Sequence, residues 1–475
     1  MINEKGASAI GVLHSLERFG SKLGLERIAA LMALLGDPQD KMKCIHVAGT
    51  NGKGSVCRYI YSVLREHGYN TGIYTSPFVI DFYERIEYNG ECITGDELEI
   101  YTARVMEQTE KMLAAGMDSP TEFEVLTAIA FLFYAEKGAD FLVLEVGLGG
   151  SGDSTNIIKA PITSVITSIS LDHTERLGMS AADIAAEKAG IIKTGCPVIM
   201  FVDEEGAAAV IAARAYDLKA PLIDVQKKQR GVTRRSTDGY EFWINIEGRA
   251  YNDIKLSMPG EHQVRNAACA LCVIDLLRKK RLITTTAEGI RAGMRNARQP
   301  GRFEILKIGA AGLDEAAGCV EAAEHVEAVE HVEAAGCVEA AGILDKPAVE
   351  VVLDGAHNEA GAAVLADTVA ELYPGEKVLV VMGVLKEKRL DAMLKHLDRI
   401  AGEYIATEPD NDRKLSAEQL GEKIKNNGKK CAVIADPREA AAAAIARGNE
   451  FGLIVIAGSL FLIGAVRRYL CEKAG

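Results

Sequence analysis

A single lysine stands among three glycines in HVAGTNGKGS, residues 46–55. Backbone N–H groups that converge where no Cβ obstructs them, beside a helix N-terminus, make an anion site. Lys53 would there reach the outer phosphates of a nucleotide. The stretch ends Gly-Lys-Gly-Ser, whereas the usual phosphate loop ends Gly-Lys-Ser/Thr. A tight strand-to-helix turn whose lysine points at water is written with the same letters. The loop speaks for a nucleoside triphosphate and leaves the reaction open.

Two elements must position that lysine. Cys44–Val47 is short, apolar and partly β-branched, as a buried strand should be, and Val56–His67 reads as a helix opening behind Ser55. Further strands are expected at Gly72–Thr75, Phe141–Val146, Ile162–Ile169 and Pro197–Phe201, with helices between several of them. That alternation implies a mostly parallel sheet covered by helices. Gly239–Ile246 and Tyr251–Leu256, split by a Glu-Gly turn, read as an antiparallel hairpin added to that sheet. Helices near 263–278 and 287–297 follow. Pro300 and Gly301 then punctuate the chain. From Val349 the pattern restarts in VEVVLDGAH, VLVVMGVL, YIATE, CAVIAD and LIVIAGS. The expectation is an α/β chain with a P-loop-type, mostly parallel ATPase domain at 1–298 and a smaller Rossmann-like α/β domain at 299–475.

A second glycine cluster, EVGLGGSGDSTN, places Gly147, Gly149 and Gly152 in the dinucleotide spacing G-x-G-x-x-G, with Asp172 20 residues beyond the last glycine. A dinucleotide site needs a helix whose N-terminus meets the pyrophosphate. Here Pro161 and a β-branched run follow, which make a strand, so the fingerprint fails.

Composition narrows the class. With 475 residues, 48% hydrophobic and 25% charged, the chain is an ordinary globular protein of two or three domains. A net charge of −13 argues against nucleic acid or an anionic membrane surface as partner. Much of that charge is local, because residues 310–342 carry eight acids and no Lys or Arg. There EAAGCVEAA occurs twice, 18 residues apart, in an alanine- and glutamate-rich segment that reads as an exposed insertion. Its histidines, His325 and His331, are six apart, a poor spacing for ligands on one helical face. Ten scattered cysteines without a regular framework suggest reduced thiols in a cytoplasm. Cys269 and Cys272 form a lone CxxC inside a helical apolar pattern, which favours core packing over a metal. The longest apolar run, FGLIVIAGSLFLIGAV, is 16 residues, shorter than a membrane span.

Further motifs stand in order along the chain: LGLERI (23–28), TSPFVIDFYERI (75–86), TEFEVLTAIAF (121–131), EVGLGG (145–150) and SISLDHTERLG (168–178). EKAGIIK (187–193), PGEHQVRNA (259–267), PGRFEIL (300–306), LDGAHN (353–358) and GSLFLIGAVR (458–467) complete the set. With the glycine-lysine loop they resemble folylpolyglutamate synthase, including the bacterial enzymes that double as dihydrofolate synthase, within the Mur ligase superfamily. The resemblance covers nearly all of the chain except the acidic repeat.

That resemblance implies an ATP-dependent ligase that adds L-glutamate to a folate or to dihydropteroate through an acyl phosphate, giving ADP and phosphate. It implies ATP contacts at Gly52, Lys53, Gly54, Ser55, Asn266, Arg302 and Asp354, and thus a nucleotide gripped from both domains. Magnesium, as two ions, would be held by Ser76, Glu145 and His173, and a monovalent cation is also allowed for. A hydroxyl and a carboxylate suit that hard ion, and a carboxylate ending FLVLEV would be costly to bury unpaired. Histidine is softer than magnesium prefers, and the alternative for His173 is a hydrogen-bonded residue at a strand end beside Asp172. The pterin end would meet Thr121, Glu122, Phe123 and Glu124, and Gly152, Asp153 and Ser154. A helix N-cap with acids in its first turn explains Thr121–Glu124 equally well. Catalytic roles would fall to Lys53, Lys188 and His357, with Lys188 carbamylated. From the residues alone, Lys188 is a cation in the last turn of a helix running from Ser180 to Gly190, and His357 is a turn residue ahead of a helix. The chain departs from the family at Ser151 and Gly152, where arginine and leucine are usual, and at Phe78, where histidine is common. A monomer in the cytoplasm, without membrane or nucleic-acid partner, is expected. A Mur-type ligase of peptidoglycan precursors and a non-catalytic ATP-binding protein are the competing readings.

Overall fold

The computed structural model describes residues 4–16, 20, 23–309 and 349–474. The acidic repeat at 310–342, with His325 and His331, lies outside the described residues. The chain divides into two compact units, Met1–Gln299 and Pro300–Gly475.

The first unit is built on strands β1 (Lys43–Ala48), β2 (Thr71–Tyr74), β3 (Ile86–Tyr88), β4 (Glu91–Cys92), β5 (Phe141–Glu145), β6 (Thr163–Ile166), β7 (Val198–Met200) and β8 (Leu222–Asp224). They form one sheet in the order β4-β3-β2-β5-β1-β6-β7-β8, parallel except where β3 joins β2 and β4. Central β1 and β5 are apolar and almost wholly buried, which is what a strand covered on both faces requires. Register then decides where the chemistry sits. Val47 pairs with Glu145 on one side of β1, and Ala48 pairs with Ile166 on the other. The carboxyl ends of β1, β5 and β6 therefore open onto one edge of the sheet. Ligands of open α/β sheets bind at such an edge, where the strand order reverses.

Sequence and structure part in three places. The helix after the glycine loop runs Lys53–Glu66 and opens at Lys53, not behind Ser55, because Gly52 takes a left-handed φ of 86° and turns the chain straight into it. The strand expected at 162–169 is only β6, since Thr167 and Ser168 turn away to bond the glycine loop. The expected hairpin, now β10 (Gly239–Ile246) and β11 (Arg249–Leu256), does not join the main sheet. It pairs with β9 (Arg230–Ser236) in a separate three-stranded sheet of order β11-β10-β9. The half-buried, arginine-rich β9 carried too weak an apolar alternation to be read as a strand. No α-helix follows Gly152: a single 3-10 turn, Ser154–Ile157, leads to β6.

The second unit holds β12 (Glu304–Ile308), β13 (Val349–Asp354), β14 (Val378–Met382), β15 (Ala401–Ala406), β16 (Cys431–Val433) and β17 (Leu453–Ala457). The order is β12-β13-β17-β14-β15-β16, with only β12 antiparallel. Its apolar core gathers β13, β14, β15 and β17 under helices such as Glu359–Leu372. Arg467 grips Glu304 through two nitrogens, the nearest pair 2.6 Å apart, and ties the last helix to edge strand β12. Among the described residues no helix is long and apolar enough to cross a membrane.

Candidate active site

The glycine loop is bound to the segment that follows β6. Thr50 N–H donates to the Ser168 carbonyl at 2.7 Å, and Thr50 Oγ1 both donates to the Ser170 carbonyl and accepts its N–H. Asn51 is held in the same way by Thr167 and Ser168. Two glycines are obligatory for a physical reason. A Cβ on Gly49 would strike the Thr167 hydroxyl, and one on Gly52, already left-handed, would strike the Asn266 carboxamide.

Lys53 is the first residue of its helix and is largely buried, so it does not point at water as the tight-turn alternative would have it. Its Nζ donates to the Gly49 and Thr50 carbonyls, each at 3.2 Å, and stands 4.0 Å from Glu145 Oε1. Glu145 Oε2 accepts the Ser76 N–H at 3.3 Å. A Cβ on Gly54 would strike the Gln299 carboxamide, so a side chain at this position would displace Gln299. Ser55 Oγ donates to Gln299 at 2.9 Å and accepts from Gln263, which in turn accepts from Asn266. Gln263 and Gln299 were missed by sequence reasoning. Gln263 lies three residues before Asn266, a spacing that puts both on one helical face and could have revealed it.

Lys188 closes the cluster. It lies in the last turn of Ala181–Ala189, whose start is fixed by a capping box between Ser180 and Asp183. Only 5% of it is exposed, and burial, reinforced by the nearby Lys53 cation, brings its pKa down to about 7. The carboxylates of Asp172, Asp153 and Glu187 oppose that shift. A favourable helix end cannot offset removal from water here. Gly150 lets the EVGLGG loop lie directly on this turn, because a Cβ there would meet the Glu187 carbonyl and Lys188 Cα. Ser151 donates to both ends of Glu187, through its N–H to the carbonyl and its hydroxyl to the carboxylate.

Asp153 is buried and held by the N–H groups of Leu148 and Thr155 and by the Thr155 hydroxyl. Burial raises its pKa against those donors. Gly152 faces the LGLERI segment, with its carbonyl accepting from Gly24 N–H at 3.0 Å. Ser154 is buried beside it. Thr121 and Glu124 form a full capping box, and Glu124 also pairs with Arg27 at 3.1 Å with almost no exposure. The capping explanation for Thr121–Glu124 therefore holds. Phe123 lies across Gly147 and 6.0 Å from the Tyr74 ring, and the Glu122 and Asp153 charges both act on the Tyr74 hydroxyl. Phe78 and Phe82 each lie 5.2 Å from the Arg85 guanidinium.

Ser76 and Glu145 offer hard oxygen donors side by side, which fits magnesium. His173 is exposed, in left-handed conformation (φ 50°), with its N–H on the Asp172 carboxylate at 2.9 Å. Among the described residues no three His, Cys, Asp or Glu side chains converge as a metal cluster. Cys269 and Cys272 are buried on the helix Glu261–Lys279, and burial pushes both thiols up, Cys272 to about 12, which makes them core residues.

In the second unit Asp354 ends β13 and accepts the N–H groups of Phe303 and Ala356 at 2.9 and 2.8 Å. Burial raises its pKa, and the Arg302 charge opposes the rise. His357 is half-buried, its Nδ1 2.8 Å from the Gly355 carbonyl, so the turn before helix Glu359–Leu372 is where it sits.

The Mur ligase middle domain matches residues 47–274, and the Mur ligase glutamate ligase domain matches 342–460. The dihydrofolate synthase/folylpolyglutamate synthase of Bacillus subtilis is 34% identical over 460 residues, covering 96% of this chain and 97% of its own. The chain belongs to the folylpolyglutamate synthase/dihydrofolate synthase family of Mur ligases. The folylpolyglutamate synthase of Mycobacterium tuberculosis, solved with ADP and AMPPCP, superposes with a TM-score of 0.82 at 29% identity, covering 99% of this chain and 100% of the other. An FPGS–AMPPCP–folate complex has a TM-score of 0.75 at 29% identity, covering 98% and 99%.

Proposed function

We propose that this chain is an ATP-dependent ligase that joins L-glutamate to a folate, to dihydropteroate or to both. The observation that carries the reading is the gathering of Lys53, Glu145 and Lys188 at the shared carboxyl edge of β1, β5 and β6, in a member of this ligase family. A carboxylate and an amine do not condense in water. The substrate carboxylate oxygen attacks the γ-phosphorus, ADP departs, and an acyl phosphate results. The glutamate amine then attacks the acyl carbon, and phosphate leaves with one former carboxylate oxygen while the amine loses a proton.

Phosphoryl transfer is catalysed mainly by positioning and by neutralising charge. Lys53 exchanges its two carbonyl partners for phosphate oxygens, and Gly52, Gly54 and Ser55 present the loop N–H groups. Asn266, whose carboxamide lies against Gly52, is assigned to the nucleotide, as are Arg302 and Asp354. Ser76 and Glu145, with His173, are the residues that would hold magnesium, which would neutralise charge on the phosphates. Thr121, Glu122, Phe123, Gly152, Asp153 and Ser154 shape the pterin site, and Glu124 supports it through Arg27 and the capping box. His357 is assigned to glutamate. The neutral Lys188 amine takes up CO₂, forming a C–N bond and releasing a proton. The resulting carbamate replaces a cation by an anion beside Lys53.

The test is ADP release with tetrahydrofolate, dihydropteroate or a UDP-muramyl precursor, each with and without L-glutamate. The reading requires glutamate-dependent turnover with one or both pterins. Turnover with the muramyl precursor alone would replace it by the Mur-type reading.

A further inference from the structure

A buried histidine behind the glycine loop is used by none of the chemistry above. His46 lies on β1, fully buried, and its side chain reaches Thr155 on the substrate-side loop, with Nε2 2.8 Å from Oγ1. Thr155 Oγ1 in turn bonds Asp153 Oδ1. The direction of this chain follows from counting protons. Thr155 Oγ1 donates to Asp153 Oδ1, so its single hydroxyl proton is engaged there. Thr155 must then accept from His46, which fixes the Nε2–H tautomer and leaves Nδ1 a bare acceptor. Nδ1 is indeed buried with no hydrogen-bond partner among the described residues. Burial and the nearby Lys193 cation hold the ring neutral, with a pKa near 3, so it stays a one-proton donor at any working pH. Lys193 itself is anchored on the Asn156 carbonyl, one residue beyond Thr155.

We infer that His46 is a positioning residue for the pterin substrate: through Thr155 it orients the Asp153 carboxylate, and so couples strand β1 to the substrate loop. The inference rests on the reading of Asp153 as a pterin contact. Without the His46 donor, Thr155 Oγ1 has one acceptor and no donor, and its hydroxyl is free to swing from Asp153. The carboxylate then keeps its backbone donors, the N–H groups of Leu148, Thr155 and Gly147, but loses the side-chain hydroxyl that fixes its tilt.

Four variants of the full chain test this, beside Asp153→Asn, with KM measured for pterin substrate and for ATP. His46→Leu and Thr155→Val remove one link each, and Thr155→Val keeps the shape of the side chain. Losing one buried hydrogen bond corresponds to roughly tenfold, so each is expected to raise KM for the pterin about tenfold with KM for ATP unchanged. His46→Gln places an amide N–H near the Nε2 position and Thr155→Ser keeps the hydroxyl, so both should restore most of the pterin affinity. A merely structural role would move neither KM selectively nor follow the donor. If Asp153→Asn raises KM for the pterin while His46→Leu and Thr155→Val leave it unchanged, the relay is wrong and the Asp153 reading stands. If Asp153→Asn itself has no effect on the pterin, both are overturned.

Discussion

Lys53 and Lys188 carry the same formal charge in one cluster, and the fold treats them in opposite ways. Lys53 keeps two carbonyl acceptors and a carboxylate 4.0 Å away, a set of partners that phosphate oxygens can replace. Lys188 is sealed from water beside that cation, and its pKa falls to about 7. Lys53→Ala should lower kcat/KM at least ~10²-fold, the scale of losing one charge-stabilising donor. Its cost in stability should be about 2–3 kcal/mol, because a charged donor to two carbonyls is lost, checked by denaturant unfolding alongside turnover. For Lys188 the sign runs through its neutral form, which CO₂ requires. That form dominates above about pH 7 and is lost below it. Enzyme depleted of CO₂ should lose most activity and recover it with bicarbonate at pH 8, but recover little at pH 6. Lys188→Arg, still a cation, should be as inactive as Lys188→Ala, and short carboxylic acids should rescue the alanine variant only. Full activity in Lys188→Arg would return this residue to a helix-end cation. Unmodified, the chain should also gain stability from about pH 7 to 10.5, where the unfolded state holds a proton that folded Lys188 has lost.

Elements were legible where one interaction dominated. A glycine-rich turn between an apolar strand and a helix, or Ser180 three residues ahead of Asp183, announces itself locally, and the structure has both. β9 was not legible, because a strand with three arginines takes its place from its partner β10 and not from its own pattern. Lys53 and Thr155 show the same limit at the site. Their burial comes from chain segments 92 or more residues away, at Glu145 for Lys53 and at His46 for Thr155, and no local spacing encodes such contacts. The steric demands on the loop give an element-level test. Gly52→Ala adds a Cβ at a left-handed position against Asn266. The strain should be on the order of 1–2 kcal/mol, and KM for ATP should rise about tenfold or more with KM for the pterin little changed. Equal effects on both substrates would mean that the loop does not hold the nucleotide.

At the scale of the whole chain, the family segments at 47–274 and 342–460 leave residues 310–341 outside both. That stretch is alanine- and glutamate-rich and holds much of the net charge of −13. Deleting 310–342 should leave kcat within about twofold, since surface insertions are well tolerated. A large fall in kcat with unchanged cooperative unfolding would give the repeat a part in turnover.

The central claim is that a pterin carboxylate is phosphorylated and then captured by glutamate. Its most direct measurement supplies dihydropteroate or a folate labelled with oxygen-18 in the reacting carboxylate, with ATP and L-glutamate, and follows the label by mass spectrometry. The expected result is one labelled oxygen in each inorganic phosphate released, with a product heavier by one glutamyl residue and ADP formed in equal amount. Unlabelled phosphate, or ADP formed at the same rate without glutamate, would contradict the account.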